Sequence, residues 1–129
     1  TIYHKDAGTL ESLNLLADSA LIVADNVLKP GAPYFLWELH HHPHWDLQII
    51  SLREYSSEDI EDWISVARFH AEIAAERPHC HVPSPPRSLE NLAFETDAMR
   101  WRAMTEQLNV SDWVRHCTRV RDALREHGI

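Results

Sequence analysis

Two adjacent polar residues, Asp25 and Asn26, follow a five-residue apolar run at positions 20–24. A continuous apolar run of this length, with Ile22 and Val23 near its centre, is typical of a strand covered on both faces in an α/β sheet. Open α/β sheets bind ligands where such strands end. Carboxylate and amide oxygens are ligands that suit Mg²⁺, so Asp25 and Asn26 are candidate metal ligands. The alternative is an ordinary turn or helix cap at the end of the strand.

Histidines and one cysteine form a second candidate cluster, because imidazole and thiolate are zinc ligands. The residues are His40, His41, His42 and His44 in one run and His79, Cys80 and His81 in another. Their spacing matches neither zinc fingers nor the i, i+4 histidine pair of helical zinc enzymes. The sequence alone therefore favours a solvated histidine-rich loop over a zinc site.

Charge and glycine content exclude several functions. The chain has 12 Lys and Arg against 20 Asp and Glu, a net charge of -8, which disfavours nucleic acid as a partner. It has only three glycines, Gly8, Gly31 and Gly128, too widely spaced for a glycine-rich phosphate-binding loop. No apolar run reaches the roughly 18 residues that a membrane-spanning helix needs.

The chain has 129 residues, 44% of them apolar, which is ordinary for one compact domain. Its two cysteines, Cys80 and Cys117, do not indicate a disulfide framework, so an intracellular compartment, cytoplasmic or organellar, is favoured. The sequence begins with Thr1 rather than Met. We therefore expect a piece of a longer or processed protein, and an unpaired sheet edge that needs a protein partner or an N-terminal half.

The patterns of apolar and turn residues predict alternating helices and strands in the first 76 residues. The predicted elements are a helix capped by Thr9, a strand at 20–24, a helix from Pro33 to His40, a strand from Trp45 to Tyr55 and, after an acidic turn at 56–62, a strand at 63–69 paired antiparallel with the previous one.

Four prolines within nine residues predict an irregular connector at 77–87. The remaining residues, 88–129, predict two helices, one capped by Ser88 and the other by Ser111. In the second, Trp113, Cys117, Val120 and Leu124 form a single apolar stripe, and we expect this helical hairpin to dock on the chain's own sheet or on a partner.

The segment at 21–33, LIVADNVLKPGAP, resembles the motif of catechol O-methyltransferases, in which an apolar strand ends in Ala-Asp-Asn-Val and a Pro-Gly-x-Pro turn begins the next helix. Tyr34-Phe35-Leu36 and the segment from Ser51 to Tyr55 extend the similarity. The resemblance implies an α/β fold, in which residues 1–76 are the C-terminal half of a Rossmann-like methyltransferase mixed sheet. The helical extension at 88–129 has no counterpart in it.

By this resemblance, Asp25 and Asn26 are expected to bind Mg²⁺, and Glu54 is expected to hydrogen-bond one hydroxyl of a catechol-like substrate. The family's cofactor is S-adenosylmethionine, but its glycine loop lies in a half that this sequence lacks, so the chain alone is not expected to bind it. Lys5 is one candidate for the family's catalytic base, and no catalytic residue is assigned. The implied function is that of a fragment of a Mg-dependent O-methyltransferase; the alternative is a non-catalytic methyltransferase-like subunit that acts as an interaction module in a larger assembly.

Overall fold

The computed structural model describes residues 3–129, so Thr1 and Ile2 of the predicted methyltransferase-like segment at 1–76 lie outside the described residues. Five helices, three strands and one irregular π-helical turn follow one another in this range. They are α1 (Tyr3–Ser12), β1 (Leu21–Ala24), the turn Val27–Gly31, α2 (Pro33–His41), β2 (Trp45–Glu54), β3 (Ser57–Phe69), α3 (Ala71–Glu76), α4 (Arg87–Thr105) and α5 (Val110–Arg125).

The strands form one three-stranded sheet in the order β1-β3-β2. The central strand β3 runs antiparallel to both neighbours, with Ala24 opposite Ser65 and Trp45 opposite Phe69. The fold is therefore mixed α/β, as the sequence predicted, but both strand pairs of this small sheet are antiparallel, so the Rossmann-like sheet that the resemblance implied is not confirmed. Since β1 and β2 both oppose β3, they point in the same direction.

The expectation that β1 is covered on both faces is wrong. Its side chains alternate, with Leu21 56% and Val23 63% exposed and Ala24 buried. The physical reason is that β1 is an edge strand of this sheet, and the packed helices cover only one of its faces. The apolar run thus has one inward face and one outward face.

Two boundaries differ from the sequence prediction. Helix α1 ends at Ser12 instead of beginning near Thr9, and Leu13 and Leu15 beyond it are largely exposed. The acidic segment predicted as a turn at 56–62 is the first half of β3, because Ile60 and Asp62 are buried there. Pairing with β2 overrides the turn propensity of the acidic residues.

Helices α4 and α5 pack into the same core as the sheet and α2. The predicted stripe of α5 is confirmed, since Cys117, Val120 and Leu124 are at most 2% exposed and contact the main apolar cluster. The cap of α5 is Asn109 rather than Ser111: its side chain accepts from the Asp112 N–H in a capping box. Pro86, not Ser88, precedes the first residue of α4.

Across residues 3–129, no helix combines the length and the apolar character that crossing a bilayer requires.

Candidate functional site

Asp25 and Asn26 lie exposed at the carboxyl end of β1. Asp25 Oδ1 accepts the Asn26 backbone N–H at 2.8 Å. Asn26 has left-handed backbone angles, φ 60 and ψ 31, a conformation that Asn tolerates better than most residues. The pair therefore forms a tight local turn in which two oxygen-bearing side chains are adjacent and face solvent.

The amide of Asn26 is oriented by the buried carboxylate of Asp62. Asp62 Oδ2 and Lys29 O lie 3.2 Å from the same end of the amide, and since both are acceptors we assign Nδ2 to that end, where it donates to both. Because the nitrogen faces these two acceptors, the amide oxygen points away from them. With this assignment, the amide oxygen is the end of the Asn26 side chain that is presented outward.

Asp62 holds the turn at Val27–Gly31 in place through hydrogen bonds to its backbone. Its Oδ1 accepts the backbone N–H groups of Leu28 at 3.2 Å, Lys29 at 2.8 Å and Trp63 at 2.7 Å. Burial raises the pKa of Asp62 to about 6, although these hydrogen bonds oppose the shift. Sequence analysis missed this residue because it placed Asp62 in an acidic surface turn.

Glu54, predicted from the resemblance to contact a substrate hydroxyl, lies at the end of β2 and is held by Lys29. Lys29 Nζ lies 2.8 Å from Glu54 Oε1, and the two side chains are only 16% and 22% exposed. The same ammonium group lies 5.0 Å from the centre of the Trp113 ring. Lys29 therefore connects the turn that follows Asn26 to both Glu54 and α5.

An open groove of about 170 Å³ lies beside Asp25, between α1 and β1. Most of its lining is apolar, and Asp6 and Asp25 supply its acidic groups; the other residues are Tyr3, Ala7, Leu10, Ile22, Val23, Ala24 and Phe35. Lys5, the candidate base, is exposed on α1 and is not among these lining residues.

The second cluster is not the solvated loop that the sequence favoured. His44 is 2% exposed, and its ring lies between two acceptors: the Glu11 carboxylate contacts Nδ1, and the Arg77 carbonyl oxygen lies 2.9 Å from Nε2. His44 is buried because the ordered connector and α1 close over the corner between α2 and β2. The histidine-rich composition alone does not predict which imidazoles other segments of the chain bury.

His42 and Cys80 complete this cluster. Cys80 Sγ lies 3.2 Å from His42 Nε2 and 3.7 Å from His42 Nδ1. Glu11 Oε2 lies 3.8 Å from His42 Nε2. One ligand atom from each of His42, His44 and Cys80 falls within 4.8 Å of the others, the spacing of a metal-binding group.

Burial lowers the pKa of His42, although the Glu11 carboxylate opposes this shift. Burial also raises the pKa of the Cys80 thiol, and Glu11 raises it further. The remaining histidines of the two runs lie elsewhere: His40, His79 and His81 are exposed, and His41 Nδ1 lies 3.0 Å from Trp37 O. Glu11 carried no sequence signal for this site, because it is 31 residues from His42 and looks like an ordinary acidic residue of a helix.

Comparisons of the chain with protein-family models, with curated proteins and with solved structures gave no match.

Proposed function

We propose that this chain is the C-terminal part of a Mg-dependent, S-adenosylmethionine-dependent O-methyltransferase that acts on catechol-like diols. The observation that carries the proposal is the placement of the Asp25 carboxylate beside the Asn26 amide, both exposed where β1 ends. The candidate substrate-binding residue, Glu54, is joined to the same region through Lys29.

The donor chemistry of this pair fits a magnesium ion. Mg²⁺ binds oxygen ligands and takes few protein groups, keeping waters and substrate oxygens in its other positions. Asp25 offers a carboxylate, and Asn26 offers the amide oxygen that faces away from Asp62. When bound, the cation would favour the ionised form of a catechol hydroxyl. Glu54 would accept a hydrogen bond from the other hydroxyl.

Strand directions are compatible with the end of a mixed sheet. β1 and β2 run in the same direction with β3 antiparallel between them. β1 is an edge strand, so further strands would pair with its outer edge. Leu21 and Val23 are exposed on its uncovered face, which helices that accompany such strands would cover. This edge is the place at which we propose that an N-terminal half or a protein partner adds to the sheet.

The described residues do not fit S-adenosylmethionine by themselves. Gly31 lies against α4, where a Cβ would meet Thr96 Cγ2 at 2.8 Å, so this glycine serves packing rather than a cofactor loop. We therefore place the cofactor on another part of the protein or on a partner.

The test is calorimetric titration of the chain with catechol, with and without Mg²⁺. We expect weak catechol binding that requires Mg²⁺. Resorcinol, whose hydroxyls are too far apart to share one ion, is the matched ligand control and should not bind in this way. Asp25→Asn should abolish the Mg²⁺-dependent binding of catechol. Asp59→Asn, at an exposed position on β3, should leave that binding unchanged. Equal catechol binding with and without Mg²⁺ would contradict the proposal.

A second function is favoured by the Lys29–Glu54 ion pair, because a carboxylate held by Lys29 is less available to a substrate hydroxyl. In this case the chain is a non-catalytic, methyltransferase-like subunit that binds a protein partner through the β1 edge. It then binds neither catechol nor Mg²⁺, and Lys29→Met, which frees Glu54, does not restore binding. S-adenosylmethionine binding by the chain alone would contradict both versions, since both place the cofactor elsewhere.

A further inference from the structure

We propose that Glu11, His42, His44 and Cys80 form a binding site for a zinc-class transition-metal ion. The site is independent of the proposed Mg²⁺ site, because the two share no residue. Its ligands come from three segments that are far apart in sequence: α1, the corner between α2 and β2, and the proline-rich connector.

Two of the distances between donor atoms are close to those around a tetrahedral ion. Zinc bonds of about 2.3 Å to sulfur and about 2.0 Å to nitrogen place a sulfur and a nitrogen ligand about 3.5 Å apart. Cys80 Sγ lies 3.2 Å from His42 Nε2, and Glu11 Oε2 lies 3.8 Å from the same nitrogen. Small side-chain adjustments therefore suffice for binding.

His44 is held in the orientation that a metal ligand requires. The Arg77 carbonyl can only accept, so His44 Nε2, 2.9 Å away, carries a proton and donates it. Nδ1 contacts the Glu11 carboxylate, which also accepts, so without metal Nδ1 donates a proton to it. When an ion binds between them, this proton leaves to solvent, and the Nδ1 lone pair and Glu11 both turn to the ion. Histidines that bind metals characteristically donate their second ring N–H to a carboxylate or a backbone carbonyl, which fixes the tautomer.

His42 must change its protonated nitrogen when the ion binds. Without metal, its Nδ1 accepts the His44 backbone N–H at 3.3 Å, and Nε2–H faces Cys80 Sγ. For Nε2 to bind the ion, the proton moves to Nδ1, and the long hydrogen bond from His44 is given up. The Cys80 thiol loses its proton to solvent as the thiolate binds.

Glu11 is oriented by a second contact and completes a set of four donors. Trp45 Nε1 donates to Glu11 Oε2 at 3.3 Å. An open cavity of about 220 Å³, lined in part by Glu11, His44, Phe69 and Pro78, gives an entry route from solvent.

The mixture of ligands selects the class of ion. One thiolate, two imidazoles and one carboxylate favour zinc and its tetrahedral substitutes, because magnesium and calcium prefer all-oxygen sites. The cluster is thus chemically distinct from the oxygen pair of Asp25 and Asn26.

Cobalt(II) alone is the probe that tests this site, because tetrahedral cobalt with a thiolate ligand has strong visible absorption and a sulfur-to-cobalt charge-transfer band. We expect the metal-free full chain to bind one Co²⁺ with both features and to release it to an excess of Zn²⁺. Cys80→Ser should remove the charge-transfer band. Cys117→Ala, which alters the chain's other cysteine, should keep it.

Histidine variants separate the site from surface binding by the histidine run. His42→Ala should weaken Co²⁺ binding by more than about 10-fold, whereas His79→Ala, an exposed neighbour of Cys80, should leave it unchanged. Because His44 is buried, its variants can fail to fold, so the conclusion rests on His42 and Cys80. Pale octahedral cobalt spectra, or equal binding by wild type and Cys80→Ser, would overturn the proposal.

Discussion

The buried carboxylate of Asp62 accepts the backbone N–H of Lys29 at 2.8 Å and thereby ties β3 to the turn that follows β1. The same carboxylate accepts from the Asn26 amide at 3.2 Å. One side chain thus sets the position of Asn26, a candidate metal ligand, and of Lys29, which binds Glu54. The geometry of the candidate Mg²⁺ site depends on a residue that does not itself face solvent.

Replacement of Asp62 by Ala should destabilise the fold by about 3 kcal/mol, because buried backbone N–H groups of Leu28, Lys29 and Trp63 lose their acceptor. Urea denaturation followed by circular dichroism measures this loss. The control Asp59→Ala, at an exposed position of the same strand, should change the free energy of unfolding by less than about 0.5 kcal/mol. Equal effects of the two variants would show that Asp62 does not hold the turn.

The raised pKa of Asp62 makes a definite contribution to the pH dependence of stability. Its carboxyl is expected to titrate near 3.8 when unfolded and at about 6 when folded, so the folded state binds the proton more tightly. The stabilising contribution is therefore fully present below pH 3.8 and is lost as the pH rises through about 6.

Asp62→Asn tests this contribution because it keeps an acceptor oxygen and removes the titration. The free energy of unfolding of wild type minus that of the variant should fall by roughly 2 to 3 kcal/mol between pH 4 and pH 7. Denaturation curves at several pH values provide the measurement. A difference that stays constant, or that rises with pH, would contradict the assigned pKa shift.

Elements with strong local signals could be predicted from the sequence. Pro33 begins α2 because its fixed φ suits the first position of a helix, and the structure places it there. A strand from Trp45 to Tyr55 was likewise predicted from its apolar pattern, and the structure has it from Trp45 to Glu54. In both cases the information lies within about ten neighbouring residues.

The candidate sites depend on contacts that local patterns do not encode. Asp62 is 36 residues from Asn26, and Cys80 is 38 residues from His42, yet each pair is in contact. Acidic residues are usually found in turns or exposed to solvent, so the sequence did not predict that Asp62 is buried in β3. Sequence analysis named His42, His44 and Cys80 as candidate zinc ligands but favoured a solvated loop for the same reason, since their spacing in sequence matches no short motif.

Packing of α5 against the core should make the helical extension and the sheet unfold together. Leu124→Ala should cost about 2 to 5 kcal/mol, because Leu124 is 0% exposed and lies in the main apolar cluster. Met104→Ala is the control, because Met104 on α4 is 69% exposed and should matter little.

Thermal unfolding of these two variants should be monitored both by far-ultraviolet circular dichroism and by tryptophan fluorescence. We expect one transition with coincident midpoints for the wild type, and the same single transition at lower temperature for Leu124→Ala. Two separate transitions, with Leu124→Ala affecting only one, would show that residues 88–129 form an independent unit.

Gly31 and Gly8 make a matched pair of substitutions with opposite expected signs. Gly31 has φ +116, which L side chains rarely adopt, and an added Cβ would lie 2.8 Å from Thr96 Cγ2. Because Thr96 is 1% exposed, its methyl group has little space to move, so Gly31→Ala should destabilise the protein by at least about 1 to 3 kcal/mol. Gly8, within α1, has open space around it.

Gly8→Ala should therefore stabilise the chain by about 0.5 to 1 kcal/mol through helix propensity. Urea midpoints of the two variants, measured with the wild type, test both signs. Adding Thr96→Ser to Gly31→Ala removes the methyl group that clashes but leaves the unfavourable φ, so it should restore only part of the lost stability. Full restoration would mean that steric contact with α4 alone requires glycine at this turn, and no loss in Gly31→Ala would mean that the turn is not packed against α4 as described.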